Sequence, residues 1–252
     1  MIAKTKEEIL ALKEGGANLK KILVALAERA KPGVSALELD KLAFSLTEKM
    51  GDKPSFLNYK PEGMRKPYPF SLCLSVNEEV VHGLPVGEKI LKEGDIAGID
   101  MGLVHKGFFL DSAITVPVGR IDERAEKLLQ TTKKALFAGI GATKAGGRIG
   151  DIGFAVEKIG RENGFGVVRD LAGHGVGRAV HEEPFVPNYG KQGKGGKLAE
   201  GLVIAIEPMF NEGSGEVVLA EDGATYKTAD GGRSAHFEHT VLILKNETIV
   251  LT

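Results

Sequence analysis

Glu93-Gly94-Asp95-Ile96-Ala97-Gly98-Ile99-Asp100 and Glu200-Gly201-Leu202-Val203-Ile204-Ala205-Ile206-Glu207 are two versions of one pattern. Each begins with a Glu-Gly turn, continues as an apolar run of strand type, and ends on an acid. A second pair lies upstream of them in the same order, Val81-His82-Gly83-Leu84-Pro85 and Val180-His181-Glu182-Glu183-Pro184. Earlier still, Lys31, Gly33, Leu39 and Gly51 match Lys144, Gly146, Ile152 and Gly164. Matches that keep their order along the chain indicate an internal repeat, with loops of unequal length between the copies.

The secondary-structure signals agree with two copies. Thr5 with Glu8 forms a capping box, and Ile9, Leu12, Leu19, Leu23 and Leu26 recur at helical spacing. Gly15-Gly16 weakens this helix without ending it. Ser35 with Glu38 opens a second helix that stops at Gly51. Residues 52–70, rich in Pro and aromatics, have no clear period and are expected to be loop. From Ser71 to residue 118 the pattern is strand-like, two helices follow over roughly 122–142 and 149–163, and strands and loops fill the remainder. The order is helix, helix, strands, stated twice. Two α/β halves, about 1–118 and 119–252, would pack their sheets together with helices outside, in a single domain. Each half then brings one histidine and one acid to the place where they meet.

Composition narrows the function classes. The chain has 252 residues, 42% of them apolar, and 33 basic against 34 acidic residues leave a net charge of −1. That balance favours neither a nucleic-acid nor a membrane partner. One cysteine, Cys73, excludes an intrachain disulfide. With no apolar run of spanning length and a charged amphipathic start, a cytoplasmic protein without a signal peptide is expected.

Asp100 and Asp111 bracket a hairpin whose bend is His105-Lys106-Gly107. If His105 and Lys106 form a two-residue loop, the two acids are directly opposed; a three-residue loop with a bulge at Gly107 makes them diagonal neighbours. Carboxylates about 5 Å apart repel by roughly 3 kcal/mol at an effective dielectric of ~20. Either one acid faces solvent, or a divalent cation lies between them. Gly173-His174-Gly175-Val176-Gly177 lets backbone pack closely round an imidazole, and lacks the spacing of a dinucleotide-binding loop. Glu207 and Glu238 adjoin strand-like apolar runs, where an acid is costly unless paired or metal-bound. Four carboxylates and one imidazole converging would suit two ions such as Mn²⁺, Fe²⁺, Co²⁺ or Zn²⁺ with a bridging water.

These motifs, Ser75-Val76-Asn77-Glu78 through Val81-His82-Gly83-Leu84-Pro85, Ile99-Asp100 with Asp111, Gly173-His174-Gly175-Val176-Gly177 with His181-Glu182-Glu183-Pro184, Ile206-Glu207-Pro208-Met209 and Glu238-His239-Thr240, together resemble the methionine aminopeptidases. The resemblance spans nearly the whole chain. It implies the pita-bread fold, a pseudo-symmetric α/β arrangement with a curved antiparallel sheet inside and helices outside. It also implies removal of N-terminal methionine from nascent proteins and peptides with a small second residue. The short interval between Glu207 and Glu238 leaves no room for the helical insertion of type 2 enzymes, so the chain looks like a short bacterial-style type 1 enzyme. Prolidases and aminopeptidase P share the fold and are the main alternative. A pita-bread protein that only binds peptides is another, but such proteins lose metal ligands, and all five candidate positions are intact here.

By the same resemblance, Asp100 would chelate one ion, Asp111 and Glu238 would bridge both, and His174 and Glu207 would complete the other site. A metal-bridged hydroxide would attack, with Glu207 as proton shuttle, His181 at the scissile carbonyl and His82 at the amide nitrogen. Tyr59, Phe56, Tyr68, Cys73 and Val180 are candidates for the wall of the methionine pocket. The implied partners are nascent polypeptide N-termini, with the ribosome as a candidate meeting place, and a monomer is expected. Two features depart from the family pattern. The segment 60–70 is longer than usual, and Ala224 follows Asp222-Gly223 where many type 1 enzymes carry a Trp.

Overall fold

The structure is a computed structural model that describes residues 1–60 and 66–252. Helices α1 (Lys6–Arg29) and α2 (Ala36–Lys49) open the chain, followed by the short strands β1 (Lys53–Pro54), β2 (Cys73–Val76) and β3 (Glu79–Val81). The long hairpin of β4 (Ile96–His105) and β5 (Phe108–Pro117) leads into α3 (Glu123–Ala142) and α4 (Ile149–Glu162). Then come β6 (Gly166–Val167), β7 (Ala172–Gly175), β8 (Glu182–Pro187), β9 (Val203–Ile206) and β10 (Met209–Asn211). The chain finishes with β11 (Val217–Leu219), β12 (Tyr226–Thr228), β13 (Ser234–His236), β14 (Glu238–Ile243) and β15 (Thr248–Val250).

The helices begin where their caps dictate. Glu8 N donates to Thr5 Oγ1 at 3.2 Å while the Glu8 carboxylate accepts from Thr5 N, closing the expected box. Ser35 and Asp122 cap α2 and α3 in the same way through Glu38 N and Ala125 N. No helix among the described residues is long and apolar enough to cross a membrane.

Nine strands among the described residues form one antiparallel sheet with the path β1-β4-β5-β14-β9-β7-β8; β2 adds to β4, and β15 to β14. Two apolar clusters lie against it. In one, Leu12, Leu19 and Leu26 of α1 and Leu39 of α2 pack with Ile99, Met101 and Leu103 of β4. In the other, Leu128 and Leu136 of α3 and Ile152 and Val156 of α4 pack with Ile204, Ile206, Val241 and Ile243. Each helix pair therefore covers its own part of the sheet. Because side chains alternate along a strand, Asp100 points away from the face that Ile99 and Met101 give to α1.

Gly15 and Gly16 do not interrupt α1, and they let it approach the sheet. A Cβ at Gly15 would stand 2.6 Å from Leu110 Cδ1, and one at Gly16 would run into the Leu251 carbonyl. Gly16→Ala is expected to lower the unfolding free energy by about 1–3 kcal/mol through overpacking. Gly141→Ala, at an exposed α3 position with open space around it, is expected to be neutral or stabilising by about 0.5–1 kcal/mol. Denaturant titrations of the two variants check this contrast in sign.

The hairpin decides between the two expected arrangements and moves the turn by one residue. Its turn is Lys106-Gly107, both at positive φ (49° and 84°), with His105 paired to Phe108. Asp100 is consequently opposite Ala113, and Asp111 opposite Gly102, so the two acids are diagonal neighbours rather than directly opposed. His105 stays in the strand because its Nδ1 is 2.6 Å from Asp52 Oδ1 and its Nε2 3.3 Å from Glu14 Oε2.

Candidate metal centre

The register assembles the site. Ala113 of β5 is paired with Asp100 on one side and Glu238 on the other. A methyl group thus sits between two carboxylates, leaving space above it. Asp111 lies two residues along β5 on the same face. Glu207 comes one step after the last pair joining β9 to β14, Ile206 with His239. His174 stands on β7, held tightly: a Cβ at Gly173 would meet the Ala205 carbonyl, and one at Gly175 the Glu183 carbonyl. The two glycines are what let β7 fit between β9 and β8. The five side chains named from sequence thus come from five neighbouring strands and meet on one face, all of them buried.

Most of their hydrogen bonds hold the backbone; among the side-chain oxygens, Asp111 Oδ1 accepts from Ser112 N at 3.0 Å. The Thr240 hydroxyl donates to Asp111 O at 2.7 Å and accepts from Asp111 N at 3.0 Å. Ser112 Oγ donates to Glu238 O at 2.8 Å, and Asn188 Nδ2 to Glu207 O at 3.0 Å. Asp100 Oδ1 and Glu238 Oε1 are buried without a partner among the described residues. Ligand atoms of Asp111, His174 and Glu238 lie within 4.8 Å of one another.

The electrostatics favour a cation wherever these acids are ionised. Burial, with the Glu207 charge adding to it, pushes Asp100 up to about 7 against the relief given by His236. Asp111 is raised well above its ordinary value by burial and then by Asp100 and Glu207; Glu207 is raised by burial, and Glu238 by burial and then the neighbouring acids. His174 Nδ1 is 2.9 Å from Gly175 O, which can only accept, so the proton is on Nδ1 and Nε2 carries a lone pair. When Glu207 is ionised, that lone pair faces its Oε1 at 3.5 Å, an acceptor against an acceptor. A divalent ion removes this conflict and the repulsion among the acids together. Oxygen-rich donors with one imidazole fit such an ion.

Around this centre the remaining candidates line one cavity: His82 and His181, then Phe56, Tyr59, Tyr68 and Cys73. Val180 is buried in the same apolar cluster as Phe56, Tyr68 and Cys73. His82 sits at φ 58°, its ring edge-on to Tyr226 at 6.0 Å between centroids. Burial depresses His82 to about 4 and His174 to about 3, with the His181 charge as the second cause of each, and it lowers His181 too. Ala224 also lines the cavity, on a turn whose Asp222 carboxylate accepts from Ala224 N and Thr225 N. Of the long segment 60–70, residues 61–65 lie outside the described residues.

One residue at the centre escaped the sequence. His236 is buried beside Glu207, its Nε2 3.5 Å from Glu207 Oε2 and without a hydrogen-bond partner among the described residues. Glu207 therefore has an imidazole against each oxygen. The available signal was the spacing of His236 two residues before Glu238, which puts both on one face of an extended segment.

Residues 11–245 match the profile of metallopeptidase family M24. A methionine aminopeptidase of Aquifex aeolicus is 46% identical over 98% of this chain and 97% of its own length. The chain belongs to the methionine aminopeptidases of that family. A second relative, the methionine aminopeptidase of Clostridium perfringens, is 45% identical over 100% of this chain and 98% of its own. The crystal structure of the methionine aminopeptidase from Thermotoga maritima superposes with a TM-score of 0.94 at 43% identity, covering 100% of this chain and 99% of that one. The fold is thus the pita-bread arrangement of central antiparallel sheet and helices, and the acids gathered on it belong to a metallopeptidase that uses divalent metal.

Proposed function

We propose that this methionine aminopeptidase removes N-terminal methionine at a centre of two divalent ions held by Asp100, Asp111, His174, Glu207 and Glu238. The observation that carries the reading is the lone pair of His174 Nε2 aimed at Glu207 amid four buried, mutually repelling carboxylates. Asp100 would hold one ion, Asp111 and Glu238 both, and His174 and Glu207 the other. When bound, the metal supplies positive charge that makes a water acidic enough to attack near neutral pH and polarises the scissile carbonyl. Glu207 accepts the proton of the attacking water on a carboxylate oxygen and delivers it to the departing amine as the C–N bond breaks. His181 donates to the carbonyl oxygen of the cleaved bond, and His82 contacts its amide nitrogen. Phe56, Tyr59, Tyr68 and Cys73 enclose the methionine side chain and keep water from it.

The oxygen-rich donor set suits Mn²⁺, Fe²⁺, Co²⁺ or Zn²⁺. The same reading has the chain act as one domain of two related halves, 1–118 and 119–252. It would work as a cytoplasmic monomer on nascent N-termini, the ribosome being one place of encounter.

Protein loaded with Mn²⁺, Co²⁺ or Fe²⁺ is expected to release methionine from Met-Gly-Met and to spare a peptide beginning Met-Lys. Inactivity with every metal, or equal cleavage of a Leu-initiated peptide, would overturn the assignment. Replacing His181 or His82 by Ala is expected to lower kcat by roughly 10²-fold while leaving metal affinity within a few fold. Steady-state kinetics paired with calorimetric metal titration separates the two effects; loss of affinity instead of turnover would make that histidine a ligand.

A further inference from the structure

His181 has a partner that a wall residue would not need to provide. The hydroxyl of Tyr59 lies 2.9 Å from His181 Nδ1, with the two rings 5.4 Å apart and tilted by 54°. The hydroxyl is presented from a held backbone. Tyr59 N donates to Phe56 O at 2.9 Å, Asn58 N to Tyr68 O at 2.8 Å, and Tyr68 N to Tyr59 O at 2.8 Å. Tyr68 is anchored in turn, its hydroxyl within reach of Leu72 O at 3.0 Å and Gly83 O at 3.1 Å. On its other side the His181 ring stands edge-on to His174, 4.4 Å between centroids, and lines the cavity of the metal centre.

The polarity of that hydrogen bond decides what His181 can do. A tyrosine near neutral pH carries its proton, and among the described residues this phenol has no acceptor other than Nδ1. If the hydroxyl donates, Nδ1 bears the lone pair and the ring proton is on Nε2. In the opposite polarity Nδ1–H donates to the phenol oxygen, and Nε2 is a bare acceptor that has nothing to give a carbonyl. A ring left without the bond is also free to rotate about its Cβ–Cγ axis, and donation to a carbonyl depends steeply on angle.

We propose that Tyr59 is a positioning residue for the cleavage step: its hydroxyl donates to Nδ1 of His181, fixing the ring's rotation and keeping the proton on Nε2 for the scissile carbonyl. This rests on the reading of His181 as carbonyl donor. It makes Tyr59 more than an apolar wall, the role its place among Phe56, Tyr68 and Cys73 gives it.

Tyr59→Phe deletes the hydroxyl and keeps the ring, so the test is made on that variant, on His181→Ala and on the double variant. Tyr59→Phe is expected to lower kcat for Met-Gly-Met about tenfold, the size of one hydrogen bond, with KM changed less than twofold. The double variant should be no slower than His181→Ala alone, since the hydroxyl acts only through the imidazole. Independently of turnover, ¹⁵N spectra of histidine-labelled, zinc-loaded protein should show His181 Nδ1 as a hydrogen-bonded acceptor, and Tyr59→Phe should move that resonance towards a free lone pair. Tyr59→Leu, which removes the ring as well, should raise KM in addition. Unchanged kcat and unchanged ¹⁵N shifts in Tyr59→Phe would leave Tyr59 a wall residue and overturn the proposal. Additive losses in the double variant would overturn it too, because Tyr59 would then act without His181. A fully active His181→Ala would remove the carbonyl-donor reading first and this proposal with it, whereas an impaired His181→Ala beside a normal Tyr59→Phe would remove this proposal alone.

Discussion

Metal-free protein is expected to unfold at a markedly lower temperature at pH 8 than at pH 5.5, and saturating Mn²⁺ or Co²⁺ is expected to close most of that gap. The cause is the set of buried acids whose folded-state pKa values are raised, Asp100 to about 7 and Asp111, Glu207 and Glu238 well above their ordinary range. Their effect is expected to outweigh the opposite one of the depressed His82 and His174, which lose stability as pH falls below 6.5. For an acid raised on folding, both states are protonated below the unfolded value, so no stability is lost there. As pH climbs from about 4, the unfolded chain ionises while the folded site still holds its protons, and stability falls until the folded value is passed. For Asp100 alone the interval from its ordinary 3.8 to about 7 corresponds to several kcal/mol, on the order of 1.4 for each pH unit. A divalent ion takes the place of those protons, so its binding releases them and its stabilising effect grows with pH. Thermal midpoints at the two pH values, with and without metal, measure this directly. The same pH dependence in both forms would mean that the acids are not its source.

Glu207→Gln is expected to push activity and stability in opposite directions. The substitution keeps the shape of the side chain, and the bond from Asn188 Nδ2 is untouched because it ends on the Glu207 main-chain carbonyl. An amide, however, cannot accept the water's proton, and it gives a cation a weaker oxygen. A fall in kcat of about 10³-fold is expected, in the range for losing a general acid–base group. The metal-free variant should be more stable than the parent at pH 8, since one of four crowded acids is gone. Kinetics at saturating metal and a denaturation curve on the metal-free protein give the two readings. Retained turnover would remove Glu207 from proton transfer; unchanged stability would mean that its charge is already balanced.

The helices were legible because their signals are local. Thr5 with Glu8 and Ser35 with Glu38 satisfy backbone donors three residues on, wherever the helix later packs. Asp100, Asp111, His174, Glu207 and Glu238 were legible because acids beside apolar runs conflict with burial, and such a conflict marks a site. The turn at 105–107 was less so. Whether His105 ends a strand or opens a loop is settled by Asp52 and Glu14, distant in sequence, and that one-residue choice decides whether Asp100 faces Asp111 or Ala113. Tyr59 offered itself only as an aromatic near the pocket, since its hydrogen bond reaches His181 across 122 positions of chain. His236 offered less, a histidine in a short segment before Glu238 with nothing local to say that its ring meets Glu207.

The join between β5 and β14 is narrow, with only Glu238 paired to Ala113 and His239 to Ser112. Side-chain bonds from Ser112, Thr115 and Thr240 stitch across it where further ladder would otherwise run. Asp100 and Asp111 stand on one side of this seam, and Glu238, Glu207 and His174 on the other. An ion shared by both groups would therefore be a rivet as well as a reagent. The two panels of the sheet would then be fastened at the place proposed for peptide cleavage, and cohesion and chemistry would depend on the same few oxygens.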